Sequence, residues 1–408
     1  MNQATAHAAH IFLQLAVIIG ACRLCGYAMK RVGQPQVIGD MVAGVLLGPS
    51  LLGAISPEVF TRIFSPGDKA VLFALAQIGL TLYMFVVGLG FQAGLLGKNL
   101  RTAALVSAAG ILAPFALGSV LAFWLLSAGG FFTSAMTPAF AALFMGAAMS
   151  ITAFPMLARM ILERGLTGTV TGVIALSAGS IDDVVAWILL AAVVGGISGN
   201  PMLFAVAIVG GVIYAGACFK ILRPFFKWAH AKLEERTTMG IVVLVLAVCA
   251  WFTDLIGLYS VFGAFMLGLV LPRGGFSERL ASQIGPLATA LFLPVFFTYS
   301  GLNTKIGLVN SMFLWLVCAV VVLAAVGGKL LACYAAGRLS GQNHSDSFAV
   351  ASLMNARGLM ELILLNIALQ AGAITETLFT IMVIMAIVTT LMAAPCFNYA
   401  TRSRNDVA

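Results

Sequence analysis

The stretch Ser177-Ala178-Gly179-Ser180-Ile181-Asp182-Asp183-Val184-Val185-Ala186-Trp187 sets two adjacent carboxylates deep inside a long apolar run. A charge at the centre of a membrane helix costs roughly 2.5 to 3.5 kcal/mol on insertion scales, so each needs a partner, water or a function. Neighbours on a helix point about 100° apart. Asp182 and Asp183 therefore face different surroundings: one can bind a cation or proton while the other pairs with a fixed charge. The same divergence argues against an intramembrane aspartyl protease, whose two carboxylates must share one proton.

Composition makes the run a membrane helix. Of 408 residues, 61% are hydrophobic and 9% charged, against about 25% charged in a soluble domain. The net charge of +8 would suggest a nucleic-acid partner in a soluble protein; here its distribution is topological. Thirteen apolar runs, centred near residues 20, 45, 80, 114, 150, 183, 211, 247, 265, 292, 322, 359 and 386, meet the length of about 20 residues that spanning requires. The division near Gly257 is the narrowest of the boundaries. Of the 22 Lys and Arg, sixteen follow odd-numbered runs, whereas only Arg62, Lys69 and Lys305 follow even-numbered ones, and Arg23, Lys329 and Arg357 lie within runs. Cytoplasmic loops collect Lys and Arg, so the pattern predicts an all-α polytopic membrane protein with its N-terminus outside and its C-terminus in the cytoplasm.

The basic connection from Lys220 to Arg236 follows the seventh run, is read as a solvated amphipathic linker, and divides the chain into spans 1 to 6 and spans 8 to 13. The offset of seven spans is odd, so matching spans run in opposite directions, the inverted-repeat arrangement of secondary transporters. The expected organisation is one membrane domain over 1–408, with repeat 1 at about 8–196, a linker helix at about 201–236 and repeat 2 at about 238–398. Ala43-Gly44-Val45-Leu46-Leu47-Gly48 echoes Gly263-Ala264-Phe265-Met266-Leu267-Gly268, and Gly88-Leu89 echoes Gly301-Leu302.

Lys329, in Gly327-Gly328-Lys329-Leu330-Leu331, is the fixed charge expected to pair with Asp182; an Asp–Lys pair in low dielectric is a proton-coupled switch, because the ammonium is held only while a carboxylate faces it. The fifth run, Ser150-Ile151-Thr152-Ala153-Phe154-Pro155, carries a proline that removes a backbone donor and disfavours helix before it, with the Ser150 and Thr152 hydroxyls at the break. Its repeat partner, Met354-Asn355-Ala356-Arg357-Gly358-Leu359-Met360-Glu361, has Asn355, Arg357 and Glu361 at the same depth, the last two spaced as an i, i+4 pair that stabilises the break. Broken helices at mid-membrane direct dipoles and free carbonyls at an ion. Asp40 reads as a helix-start acid and Asp254 as solvated. The seven cysteines and four histidines show no zinc-type spacing, and no cofactor is expected beyond transported ions.

Four motifs in order, Gln34-Pro35-Gln36-Val37-Ile38-Gly39-Asp40 through Pro49-Ser50, Ser150 through Arg159, Asp182-Asp183, and Met354 through Leu362, resemble the second monovalent cation:proton antiporter family, which includes Kef-type transporters, plant cation/proton exchangers and bacterial Na+/H+ antiporters. The resemblance implies a homodimer of two-domain protomers, each with a dimerisation domain and a core domain carrying crossed broken helices, working by elevator-type alternating access. It implies exchange of a monovalent cation, Na+ first and Li+ or K+ as alternatives, for protons, with a role in pH homeostasis. Asp183 would carry the cation or proton, and the double aspartate resembles the electrogenic subgroup. The competing readings are a K+/H+ exchanger, a proton-uncoupled cation channel and a sodium-coupled organic solute symporter. Two departures stand out: no C-terminal nucleotide-binding domain is expected after the last span, and Gly88-Leu89-Gly90-Phe91 lacks the acid that many relatives carry after Gly-Leu.

Overall fold

The computed structural model describes residues 3–90, 99–134, 136–166, 168–197 and 201–405, and Phe91 lies outside them. The helices are α1 (Gln3–Arg31), α2 (Gln36–Leu47), α3 (Leu52–Ile55), α4 (Pro57–Ile63), α5 (Lys69–Gly90), α6 (Leu100–Ala128), α7 (Pro138–Ser150), α8 (Phe154–Glu163), α9 (Val170–Ile197), α10 (Pro201–Ala217), α11 (Arg223–Lys232), α12 (Glu235–Leu255), α13 (Ser260–Val270), α14 (Gly275–Leu287), α15 (Leu293–Leu302), α16 (Met312–Leu339), α17 (His344–Met354), α18 (Leu359–Gln370) and α19 (Glu376–Asn405). Among the described residues, eleven helical stretches are long and apolar enough to cross a membrane; the runs near residues 150 and 265 form the shorter apolar helices α7 and α13. The protein is a multi-pass membrane protein. At the narrow eighth–ninth boundary, Gly257 takes φ +80 between α12 and α13, a left-handed conformation open to glycine at little cost.

The chain divides into two compact units: Met1–Cys25, Ala43–Gln92 and Ser198–Leu302 form the first, and Gly26–Val42, Ala93–Ile197 and Asn303–Ala408 the second. The first is built around α5, which packs on α13, α14 and α15. Glycines make its crossings. A Cβ on Gly44 would strike the Phe297 carbonyl, one on Gly48 the Gly301 carbonyl, one on Gly88 the Phe265 carbonyl and one on Gly268 the Phe85 carbonyl. Backbones approach this closely only where at least one side lacks a side chain, and membrane helices use such contacts because apolar side chains gain little by leaving lipid. Two single-turn π segments, Cys218–Leu222 and Ala288–Phe292, lie beside Pro224 and Pro286, whose missing N–H groups interrupt the helical ladder.

Two acids differ from their sequence reading. Asp40 stands in the second turn of α2 and is buried; its burial is set by the elements packed around it, which local pattern does not report. Asp254 is not merely solvated, since its carboxylate accepts from the Ser260 N–H at 2.6 Å and caps α13.

In the second unit, α6, α7 and α9 pack together, as do α16, α17 and α19. The stretch from α17 through α18 is nearly all buried, which accounts for its apolar character on every face.

Substituting Val for Gly48 or Gly268 should destabilise the protein by about 1 to 3 kcal/mol through overpacking, read as a lowered melting temperature in detergent. Ala at Gly20, where a Cβ meets nothing within 4 Å, should leave it unchanged. Equal melting temperatures for all three would refute the close-crossing assignment.

Candidate ion site

Two runs of the second unit are interrupted. Between α7 and α8, Ile151, Thr152 and Ala153 are non-helical, and between α17 and α18 the chain leaves the helix from Asn355 to Gly358. The breaks meet: the Ala153 N–H donates to the Ala356 carbonyl at 3.0 Å, and the Thr152 hydroxyl lies 3.4 Å from the Met354 carbonyl. Pro155 is the second residue of α8, in the first turn, where a missing N–H costs the helix nothing; its side chain lies outside the described residues.

A helix that ends in the membrane interior leaves four carbonyls without intrahelical donors and without water to replace them. All four at the end of α7 are taken. Ala147 accepts from the Ile151 N–H at 3.2 Å and from the Ser150 hydroxyl at 3.0 Å. Ala148 accepts from Arg357 Nη1 at 2.8 Å, Met149 from Arg357 Nη2, and Ser150 from Lys329 Nζ. Arg357 and Lys329 are both fully buried, so the negative end of the α7 dipole faces two cations that have no solvent.

Lys329 also pairs with Asp182, Nζ to Oδ2, at 3.2 Å. The Thr152 hydroxyl donates to the same oxygen at 2.5 Å, and the Ser107 hydroxyl of α6 donates to Oδ1 at 2.6 Å. Asp182 is thus held by three donors from three elements. Gly110, one turn from Ser107, makes room for the lysine stem: a Cβ there would lie 2.6 Å from Cys333 Sγ and 3.7 Å from Lys329 Cε.

Asp183 is equally buried and differently placed. Neither of its oxygens has a hydrogen-bond partner among the described residues, although the Trp187 indole stands beside it one turn along α9. Asn355, buried, directs its amide N–H toward the Thr389 carbonyl at 3.4 Å, and its Oδ1 has no partner among the described residues. Arg357 and Glu361 stand 3.9 Å apart, but the guanidinium makes its hydrogen bonds to α7, so the i, i+4 pair is a loose electrostatic contact, and neither Glu361 oxygen has a hydrogen bond among the described residues.

The structure therefore brings Asp182, Lys329, Thr152 and the Ser150 carbonyl together in one network. The Ser150 hydroxyl is turned back into its own helix. Ser107, Gly110 and the α19 hydroxyl Thr390, which accepts from the Arg357 N–H at 3.1 Å, were missed in the sequence. The only signal was a run of small residues, Ser107-Ala108-Ala109-Gly110, common wherever membrane helices pack closely.

Crossed broken helices around a buried, compensated charge cluster define the class of a secondary transporter. The sodium/hydrogen exchanger transmembrane model matches residues 16–398. The chain belongs to that family. It is 39% identical over 393 residues to the Na(+)/H(+) antiporter NhaS4 of Synechocystis, covering 94% of this chain and 95% of that one. It is 35% identical to cation/H(+) antiporter 17 of Arabidopsis thaliana across 94% of this chain and 47% of the relative, so it spans about half of that protein's length. Among solved structures, the sodium proton antiporter MjNhaP1 of Methanocaldococcus jannaschii superimposes with a TM-score of 0.64 at 16% identity over 96% of this chain and 97% of that one, a likeness of fold.

Removing one partner of a buried ion pair costs about 3 to 5 kcal/mol, because the other charge is left unpaired. Lys329→Met should lower the melting temperature sharply, and adding Asp182→Asn should recover part of the loss. Strictly additive losses in this double-mutant cycle would show that the two side chains do not act as a pair.

Proposed function

We propose that the chain is an antiporter that exchanges a monovalent cation, Na+ in the first instance, for protons. The observation that carries the reading is the inequality of the two aspartates: Asp182 is saturated by Ser107, Thr152 and Lys329, whereas Asp183 is buried with the Trp187 indole beside it and no cation paired to it among the described residues. A bare carboxylate in such surroundings is unfavourable. A proton or a small cation on Asp183 relieves it.

The proton balance follows from the charges. In the proton-loaded state Asp183 is a neutral acid and Lys329 is an ammonium paired with Asp182. A cation arriving at Asp183 displaces that proton and draws Asp182 toward itself; Lys329, left without its counter-charge in low dielectric, gives up its own proton. Two protons leave as one cation enters, so the exchange moves net charge. Ser150 and Thr152 act at the break, with Thr152 passing between Asp182 and the bound ion, while Pro155, Asn355, Arg357 and Glu361 support the crossed breaks.

Alternation across the membrane is supported by the glycine crossings. Matching Gly48 to Gly268 and Gly88 to Gly301, as the sequence echoes do, exchanges the Gly48–Gly301 contact with the Gly268–Gly88 contact. Two like contacts interchanged in this way are what inverted repeats produce. We assign repeat 1 to about 8–196 and repeat 2 to about 238–398, an elevator-type movement within a homodimer, and an orientation with the N-terminus outside a bacterial inner membrane.

The test is proton release from reconstituted vesicles on addition of Na+, Li+, K+ or Rb+ across pH 6 to 9. Wild type should respond to Na+ or Li+, and an imposed membrane potential should alter the rate. Asp183→Asn should abolish exchange, and full activity in that variant would overturn the reading. A response to K+ alone would make the protein a K+/H+ exchanger, and cation flux without proton movement would make it a channel.

A further inference from the structure

Glu361 is a buried carboxyl that the exchange scheme leaves unused. It lies in the first turn of α18, fully buried, with neither oxygen in a hydrogen bond among the described residues. The nearest cation is Arg357, 3.9 Å away, and that guanidinium is held by the Ala148 and Met149 carbonyls. Lys329 of α16 also acts on Glu361 electrostatically, and α9, which packs against α18, carries Asp182 and Asp183 as its ionisable groups. α7 contributes none, and α19 carries no ionisable side chain between Glu376 and Cys396. Two cations and three carboxyls thus share one interior, and the two sets do not balance when all are ionised.

The geometry gives Arg357 two places to be. It can cap the end of α7, or it can turn the short distance to a charged Glu361. A guanidinium cannot shed its proton in a protein, so the choice rests on the carboxyl. We propose that Glu361 is a second proton-binding site, separate from the aspartate pair, whose proton keeps Arg357 on the end of α7 and whose release draws the guanidinium away. The next carbonyl on that end, Ser150, anchors Lys329, so the state of Glu361 reaches the Lys329–Asp182 pair through one residue of backbone. Proton binding at Glu361 then sets how readily the pair opens to an incoming cation. The proposal rests on the antiport reading of that pair.

Glu361 is the one buried glutamate among the described residues, which gives a direct test on the wild-type protein. With carbon-13 in the glutamate carboxyls, infrared spectra in liposomes should show a glutamic-acid carbonyl band that disappears as pH rises through the range where exchange switches on. Glu361→Gln should lack the band and flatten the pH profile of exchange, Glu361→Asp should restore the pH dependence, and Asp183→Asn should keep the band although it does not transport. Absence of a titrating band in wild type, or an unchanged pH profile in a folded Glu361→Gln, overturns the proposal while leaving Asp183 in its role. Transport by Asp183→Asn would instead remove the reading on which it rests.

Discussion

The end of α7 is the constraint on which the second unit is built. A helix stopped inside the membrane exposes four carbonyls, each costing several kcal/mol if left bare in hydrocarbon. An arginine and a lysine buried without partners would be costlier still. Placing Arg357 on the Ala148 and Met149 carbonyls and Lys329 on that of Ser150 lets each problem answer the other. The helix end supplies acceptors and a negative dipole; the cations supply donors and charge. The break, the two cations and the carboxylates that balance them then become one feature, and none can be moved without stranding the rest.

The aspartates follow from that arrangement. Only one of two successive helix positions can reach Lys329, and it is Asp182 that does so, with hydroxyls from α6 and the α7–α8 break completing its shell. Asp183 has no such set of donors among the described residues. The asymmetry sets a compensated carboxylate beside an uncompensated one, which is the inequality that the proposed exchange scheme uses.

How much of this was legible depended on the range of the interaction. Membrane runs are local properties of about 20 residues, and the centre of each of the thirteen falls on a helix or on its interruption. The divergence of Asp182 and Asp183 is also local, a matter of helical pitch, and Lys329 could be matched to Asp182 because charges in the spans are so few. Ser107 could not be found that way: a serine among alanines has no pattern that distinguishes a ligand from a packing residue, and its partner is 75 positions away. Arg357 and Glu361 were legible in part, since the i, i+4 pair is present at 3.9 Å while the other partners of the guanidinium are not local. Their i, i+4 spacing is a strong local signal, but the carbonyls of α7, more than 200 positions distant, compete for the guanidinium with hydrogen bonds that a carboxylate at 3.9 Å does not offer. Asp40 was misplaced likewise, since its burial belongs to the packing around α2.

The two units divide the means of cohesion between them. The first is joined by backbone against backbone at Gly44, Gly48, Gly88, Gly268 and Gly301, contacts that need no charge and tolerate no side chain. The second contains Asp182, Asp183, Lys329, Arg357 and Glu361, and its own helices meet their demands for partners. A charge cluster compensated in this way carries, in hydrogen bonds and ion pairs already in place, the energy that would otherwise go into solvating bare charges. In the glycine-built unit the crossings rest on backbone packing, and the Arg273 guanidinium beside one of them is held by the Gly88, Leu89 and Leu269 carbonyls.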